Sequence, residues 1–339
     1  MSVQLHVGWH HRRVTTTSWA HRRRPLARTV AAGVGLGLLP VVALDLVPEL
    51  QPTSPVAAAA ACGIPYVRVA LAAMCAGMAV SGESRVGRSL WAAASGAAIA
   101  AALRPRLLSP GRTEVPGSAR TLRVMSANVL FGRADIRQVA ELARAVDVVA
   151  IQENTPRFDD GLQAVLSGDF PYRLGTSRDD AGGTTLWSRT PLTLVANGDT
   201  RFTSVLATTT VRGVPWTVAT VHPAPPQMGS RLWESDGRKV LELVRDHVDE
   251  NLVVVGDFNA IEEHLTMRRL AEAGLRNAMS ASAGAAGWQT SWPALRAGVP
   301  SVIRIDHALH SGVVRAWRPR YTRVRGSDHK ALVAMFEAR

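Results

Sequence analysis

Two kinds of hydrophobic pattern divide the chain, and the change falls near residue 110. Before it lie three apolar runs with few polar interruptions, at 29–47, 55–80 and 89–107. A membrane helix needs ~20 apolar residues, and arginines are tolerated near its ends because their aliphatic stems let the charge reach the interface. The first run meets that length, with Asp45 near its end. The second carries Arg68 in its middle, and the third is flanked by Arg88, Arg104 and Arg106. Together they predict about three transmembrane helices. A buried helical hairpin fits runs of this length less well, and a cleaved signal peptide would not continue so far beyond the first run.

After Ser109-Pro110-Gly111 and Pro116-Gly117-Ser118, which read as a linker, the pattern changes to short β-rich runs alternating with helical ones. Strands are predicted at 122–126, 146–151, 185–187, 216–221, 252–255 and 302–309. Amphipathic helices are predicted at 136–145 and 231–248. Such alternation gives an α/β domain. The expected organisation is a basic cytoplasmic tail at 1–28, a transmembrane region at 29–108, a linker at 109–120 and a catalytic domain at 121–339.

Charge bears on partners and topology. The net charge is +12, but residues 1–28 alone carry six arginines and no acid, while the region after 112 is nearly balanced. A general nucleic-acid reading of the basic composition is weakened accordingly. Positive flanks are retained inside, so the tail is expected in the cytoplasm and three crossings would put the large domain outside. Arg104, Arg106 and Arg112 oppose that topology. The two cysteines, Cys62 and Cys75, lie in the apolar region, so the large domain has no disulfide framework. The arginines at 315, 318, 320, 323 and 325 fit a solvated edge better than an anion site.

The sharpest chemical signal is Val253-Val254-Val255-Gly256-Asp257-Phe258-Asn259. A buried strand ends in two polar groups at i and i+2, which share one face if the extended geometry continues. Such a pair can hold and orient a water, although a turn capped by Asp and Asn explains the motif equally well. In Gly326-Ser327-Asp328-His329 the carboxylate suits a hard cation and the imidazole suits a phosphate. Asp306 ends an apolar strand, where it can orient an imidazole from elsewhere. Glu153 follows the buried run 148–151, Asn128 ends the first strand and His222 ends another.

The segments RVMSANV, VVAIQEN, GGTTLWSRTPL, TVHPAPP, VVVGDFNA, TSWPA with RIDHAL, and GSDHKALV stand in an order and spacing that resembles the endonuclease/exonuclease/phosphatase superfamily over roughly 121–339. The resemblance implies a four-layer α/β sandwich of two mixed sheets with outer helices. It also implies Mg²⁺ or Mn²⁺ held by Glu153, Asn128 and Asp328. Asp257 would orient and deprotonate the attacking water, with Asn259 binding phosphate beside it. Asp306 would hold His329 against the phosphoryl oxygens, and His222 would lie near the phosphate or leaving group. Arg189, in the SRTP segment, would be mainly structural.

With the apolar runs, the whole plan resembles teicoplanin-resistance membrane proteins of the same superfamily. The expectation is thus a multi-pass protein of the cell membrane, anchored in the lipid bilayer, whose outward-facing phosphoesterase domain hydrolyses a phosphorylated substrate, lipid-linked or nucleic acid. No obligate protein partner is implied. The alternatives are a nuclease acting on DNA and, less well supported, a phosphate-binding membrane sensor.

Overall fold

A computed structural model describes residues 37–81, 118–280, 289–296 and 298–339. Residues Val41–Arg339 form one compact unit. Its strands are β1 (Thr121–Asn128), β2 (Val148–Gln152), β3 (Tyr172–Thr176), β4 (Thr184–Ser188), β5 (Leu192–Gly198), β6 (Ser204–Val211), β7 (Val214–Val221), β8 (Leu252–Asp257), β9 (Arg276–Asn277), β10 (Asp306–His310), β11 (Val314–Arg323) and β12 (Lys330–Ala338). Its α-helices are α1 (Pro55–Ala61), α2 (Ile64–Ser81), α3 (Ile136–Ala143), α4 (Pro156–Leu166), α5 (Ser230–Val244) and α6 (Leu265–Glu272).

The strands form two six-stranded mixed sheets, β11-β12-β1-β2-β4-β3 and β5-β6-β7-β8-β10-β9. Period-2 alternation decides how they pack, because successive side chains on a strand point to opposite faces. In the first sheet Leu122, Val124, Val148 and Ala150 face inward. They meet Ala207, Trp216, Val218, Val253 and Val255 of the second. The intervening residues Met125, Ala127, Val149 and Ile151 face outward and are covered by α3 and α4 through Val139, Phe158 and Leu162. Leu252 and Val254 face outward from the second sheet, under Trp233 and Val240 of α5 and Leu270 of α6. Both central strand pairs are buried on both faces, as parallel pairs generally are. The result is helix, sheet, sheet, helix, as the family resemblance implied.

Capping explains the helix starts. Asp135 accepts from Gln138 N at the head of α3, and Thr155 accepts from Phe158 N at the head of α4, where a proline also occupies the first turn. The expected strand at 302–309 is shorter, beginning at Asp306. The expected helix at 231–248 ends at Val244 and continues as a 3₁₀ turn, Arg245–His247. The arginine-rich strand β11 is an edge strand with a register shift between Trp317 and Arg320, and Arg315, Arg318 and Arg320 are exposed on it. Charge and a bulge on an edge discourage pairing with another chain. Arg189 donates to Val146 O and Arg144 O and covers the Phe170 ring, so its contacts are structural.

The membrane expectation is corrected. Among the described residues no single helix is long and apolar enough to cross a membrane. The run at 55–80 is broken into α1 and α2, whose axes bend by 51°. Its polar exception, Arg68, is ion-paired with Asp45 at 2.7 Å and Glu263 at 3.5 Å. Ala58, Ala61 and Ile64 are buried within the protein. Among the described residues the first run contributes a short apolar helix, Gly37–Leu46. The tail at 1–28, the run at 89–107 and the linker up to residue 117 lie outside the described residues. The expected transmembrane helices, bilayer partner and outward-facing membrane location therefore lose the feature on which they rested.

Three buried histidines hold the second sheet's surroundings together in the neutral form. His264, His307 and His310 are each lowered to about 4, chiefly by burial. His307 accepts from Asn277 through Nδ1 and donates to Ala260 O through Nε2. An unfolded chain binds protons at these sites below about 6.5, whereas the native state does not. Their stabilisation is therefore complete above that value and is lost as pH falls toward 4. Denaturant titrations should show unfolding free energy falling between pH 7 and 4.5, by up to ~1.4 kcal/mol per pH unit for each histidine. His310→Gln should make this fall shallower, and an unchanged slope in that folded variant would contradict neutral burial of the ring.

Candidate active site

The two sheets bring one set of strand ends together. Strands β1 and β2 run parallel with Asn128 opposite Gln152, and Glu153 follows directly. In the other sheet β7 and β8 are also parallel, with Val221 opposite Gly256, so His222 and Asp257 emerge side by side. Strand β10 runs antiparallel to β8 with Asp306 opposite Asp257. Strand β12 runs antiparallel to β1 and begins just after Asp328 and His329. Gly256 permits the close approach of β7 and β8, since a Cβ there would lie 1.9 Å from Val221 O.

The residues singled out in the sequence are joined in one polar network. Asn128 Nδ2 donates to Glu153 Oε1 at 2.9 Å and to Asp257 Oδ2 at 3.1 Å. His329 Nδ1 lies 2.9 Å from Asp306 Oδ2, and its Nε2 lies 3.7 Å from Asp257 Oδ2 and 3.9 Å from Asp328 Oδ1. His222 Nε2 is also 3.7 Å from Asp257 Oδ2, on a ring packed against Phe202. Asn259 joins through its backbone, whose N–H donates to Asp257 Oδ1 at 2.8 Å, while its side-chain Nδ2 donates to Pro223 O.

The electrostatics follow from burying acids around one imidazole. Burial alone would depress His329, but Asp306 and Asp257 push it up to about 10, so the ring is an imidazolium at neutral pH. Burial raises Asp257, with the Asp306 charge adding to that effect and His329 and His222 opposing it. It also raises Glu153, against the hydrogen bonds from Asn128 and Phe131. His222 is lowered, mainly by burial. Together these groups set an imidazolium beside carboxyl groups, two of which, Asp257 and Glu153, burial pushes up.

Two donor sets suit a cation. Asp257, Asp306 and His329 offer ligand atoms within 4.8 Å of one another. In that set, however, His329 Nδ1 is already bonded to both Asp306 oxygens, at 2.9 and 3.1 Å. The second set is Glu153, Asp328 and Asn128. Here Asp328 Oδ2 accepts from Trp292 Nε1 at 3.0 Å, while its Oδ1 is buried with no hydrogen-bond partner. A buried carboxylate oxygen without a partner, near a second, half-buried acid, is costly unless a cation is held there. The donors are oxygen-rich, and the groups present fit a hard divalent ion.

Several supporting residues carry no signal when the sequence is read alone. Trp292 fixes one Asp328 oxygen. Ser327 donates to Asn128 O and accepts from His329 N, tying β1 to the β12 entry. Ser291 accepts from the backbone N–H of Ile305 and Asp306, and the Tyr321 hydroxyl donates to Asp306 O. Gln152 bridges the sheets by donating to Thr220 Oγ1. Trp292 and Ser327 lie inside the segments TSWPA and GSDHKALV, but nothing in those segments says what either side chain touches.

Comparison with known proteins agrees with this geometry. Residues 125–329 match the endonuclease/exonuclease/phosphatase family model. Among the solved structures that share the fold are the following three. An endonuclease/exonuclease/phosphatase from Bacteroides vulgatus is 15% identical with a TM-score of 0.51, over 65% of this chain and 99% of that one. The D. rerio TDP2 complex with single-strand DNA product is 18% identical with a TM-score of 0.51, over 64% and 99%. A conserved protein of unknown function from Enterococcus faecalis V583 is 15% identical with a TM-score of 0.50, over 64% and 100%. No curated protein matches the chain. The expected likeness to teicoplanin-resistance membrane proteins finds no support among these relatives, and it rested on membrane spans that the described helices do not supply. The chain belongs to the endonuclease/exonuclease/phosphatase family and is a metal-dependent hydrolase of phosphate ester bonds.

Proposed function

We propose that this hydrolase is a Mg²⁺- or Mn²⁺-dependent nuclease that cleaves a phosphodiester of nucleic acid. The reaction is carried by one observation: Asp257 lies between two histidines, one of them charged through its pairing with Asp306. Glu153 and Asp328, with Asn128 beside them, would hold the metal, and their hard oxygens favour Mg²⁺ or Mn²⁺ over zinc. When bound, the ion neutralises phosphate charge as it shifts in the transition state.

The chain's own groups do the rest. Asp257, raised by burial, accepts the proton of the attacking water as its oxygen bonds to phosphorus. The imidazolium of His329 donates to a phosphoryl oxygen, and Asp306 keeps the ring oriented for it. Asn259 has a second side-chain N–H to offer the phosphate. His222, neutral and buried, flanks the departing oxygen as the P–O bond breaks.

Nucleic acid is favoured by Phe131. This residue is 46% exposed, yet its backbone N–H donates to Glu153 Oε2 at 3.0 Å. Asn128 Oδ1 accepts from Leu130 N, and Leu130 and Phe131 both have left-handed backbones, so the turn is held against its own preference. An aromatic face fixed at the rim of a phosphate site offers a stacking platform for a base. The D. rerio relative bound to a single-strand DNA product supports the same substrate class.

Purified protein should cleave single-stranded or duplex DNA or RNA, lose that activity in excess chelator and regain it with Mg²⁺ or Mn²⁺. Full activity in chelator would overturn the metal role. Phe131→Ala should raise KM for an oligonucleotide roughly tenfold, since stacking is worth about 1–3 kcal/mol per base. A small phosphate ester should be hydrolysed by that variant as before. Hydrolysis of small esters with no action on any nucleic acid would overturn the substrate assignment.

His329→Ala and Asp306→Ala should each lower kcat by ~10²-fold or more, and the double variant should fall well short of the product of the two losses. Multiplicative losses in steady-state rates would show that the two side chains act separately.

A further inference from the structure

The segment from Asp45 to Gly63 lies outside the residues matched to the family, yet it is built into the catalytic unit. Its centre is Gln51, a polar side chain with no exposure at all. Gln51 Oε1 accepts from Leu265 N at 2.8 Å, and its Nε2 donates to Glu263 O at 3.1 Å and to Leu44 O at 3.0 Å. One carboxamide thus grips the first turn of α6 from both sides. At one end Asp45 is held between Arg68 and Arg268, at 2.7 and 2.5 Å, and its carbonyl also accepts from Arg268. At the other end Ala58 is buried in the same cluster as Trp233 and Phe258.

What these contacts hold is the loop that leaves β8. Ala58 O is 3.0 Å from His264 Nε2, and His264 Nδ1 accepts from Ile261 N at 2.9 Å. Because Nδ1 is the acceptor, Nε2 carries the proton and donates to Ala58 O. Ile261 lies two residues beyond Asn259, whose carbonyl accepts from Trp233, and the Trp233 ring meets His264 edge-on at 4.9 Å. Ala260 O is held by His307 on the opposite side. The loop is therefore fixed by α5, by β10 and by the N-terminal segment, and two of those three anchors meet at His264.

We infer that Asp45–Gly63 is a positioning strap: through Gln51 and the Ala58–His264–Ile261 relay it fixes the loop that follows Asp257 and carries Asn259, and it acts on the rate of the chemical step. None of its residues touches the reacting groups. A displacement of an ångström in a water-orienting group can cost ~10²-fold in rate, so tethers on this loop register in kcat more than in KM. The inference rests on the family's hydrolase activity and does not depend on nucleic acid being the substrate.

The test uses the full chain, bis(p-nitrophenyl) phosphate with Mg²⁺ or Mn²⁺, and amide hydrogen exchange. Activity of the unaltered chain is the reference, so loss of the hydrolase reading would be seen separately there. Gln51→Ala should lower kcat about tenfold with KM within twofold, and should speed exchange at Ile261 and Leu265 while β1 and β2 stay protected. Gln51→Glu keeps the acceptor for Leu265 and should recover part of the rate. If Gln51→Ala does not fold, His264→Asn serves instead. Asparagine can still accept from Ile261 N and cap α6, but it is too short to reach Ala58 O. It should reproduce the kcat loss, and where both variants fold their effects should combine less than multiplicatively. Unchanged kcat in a folded variant with faster loop exchange would overturn the proposal. So would a rate loss accompanied by faster exchange throughout both sheets, which would reduce the segment to general stability.

Discussion

The ion pair between Asp306 and His329 joins the two sheets at the point where the chemistry takes place. Asp306 opens β10 of one sheet, and His329 stands just before β12 of the other. Both are buried, and their ring nitrogen and carboxylate lie 2.9 Å apart. A buried pair of this kind is tolerated only when the remaining donors and acceptors are met, and removing one partner typically costs 3–5 kcal/mol. Here the surroundings meet that demand. Ser291 receives the Asp306 N–H, Tyr321 donates to its carbonyl, and Ser327 fixes the His329 backbone. The charge balance around Asp257 depends on that pair, because it keeps an imidazolium next to a carboxylate that burial would otherwise neutralise.

The site lies at one end of the sandwich because the middle has no room for it. Between the sheets the inward residues are Leu, Val, Ala, Trp and Phe, and Gln152–Thr220 is a polar bridge that crosses there. Polar groups at the strand ends escape that layer but remain buried beneath loops. Desolvation then does two things at once. It raises the carboxylates Glu153 and Asp257 and it strengthens every interaction they make. The same burial leaves one Asp328 oxygen without a hydrogen-bond partner while Trp292 holds the other.

Holding such a site costs conformational freedom, and the structure resists that cost with contacts from several directions. Glu153, Asn259, Leu130 and Phe131 all have positive φ, a region that disfavours side chains other than glycine. Each lies on a turn leaving a parallel strand. Hydrogen bonds with Asn128, Asp257 and Trp233 hold these turns. The N-terminal strap adds Gln51 and Ala58 to the same task on one of them. Of its apolar residues Ala58 is buried in the cluster beneath α6, whereas Leu46 and Val56 are exposed, so its grip on α6 is chiefly polar.

Period-2 alternation and strand-ending polar residues determined the α/β class from the sequence, because side-chain direction along a strand is a local property. Asn128, Glu153, His222, Asp257, Asp306 and His329 were legible for that reason, each standing where an apolar run stops. The family segments added the expected sandwich. Supporting residues such as Trp292, Ser291, Tyr321 and Gln51 were not legible, since each makes its contact with a residue far away in the chain. The fate of the apolar runs was also beyond a one-dimensional reading. Length and hydropathy are the same for a helix that crosses a bilayer and for one that covers a protein surface. Only the tertiary structure shows that the run at 55–80 is bent between two helices and that Arg68 pairs with Asp45 and Glu263, because the partner that meets a face is not written in the face itself.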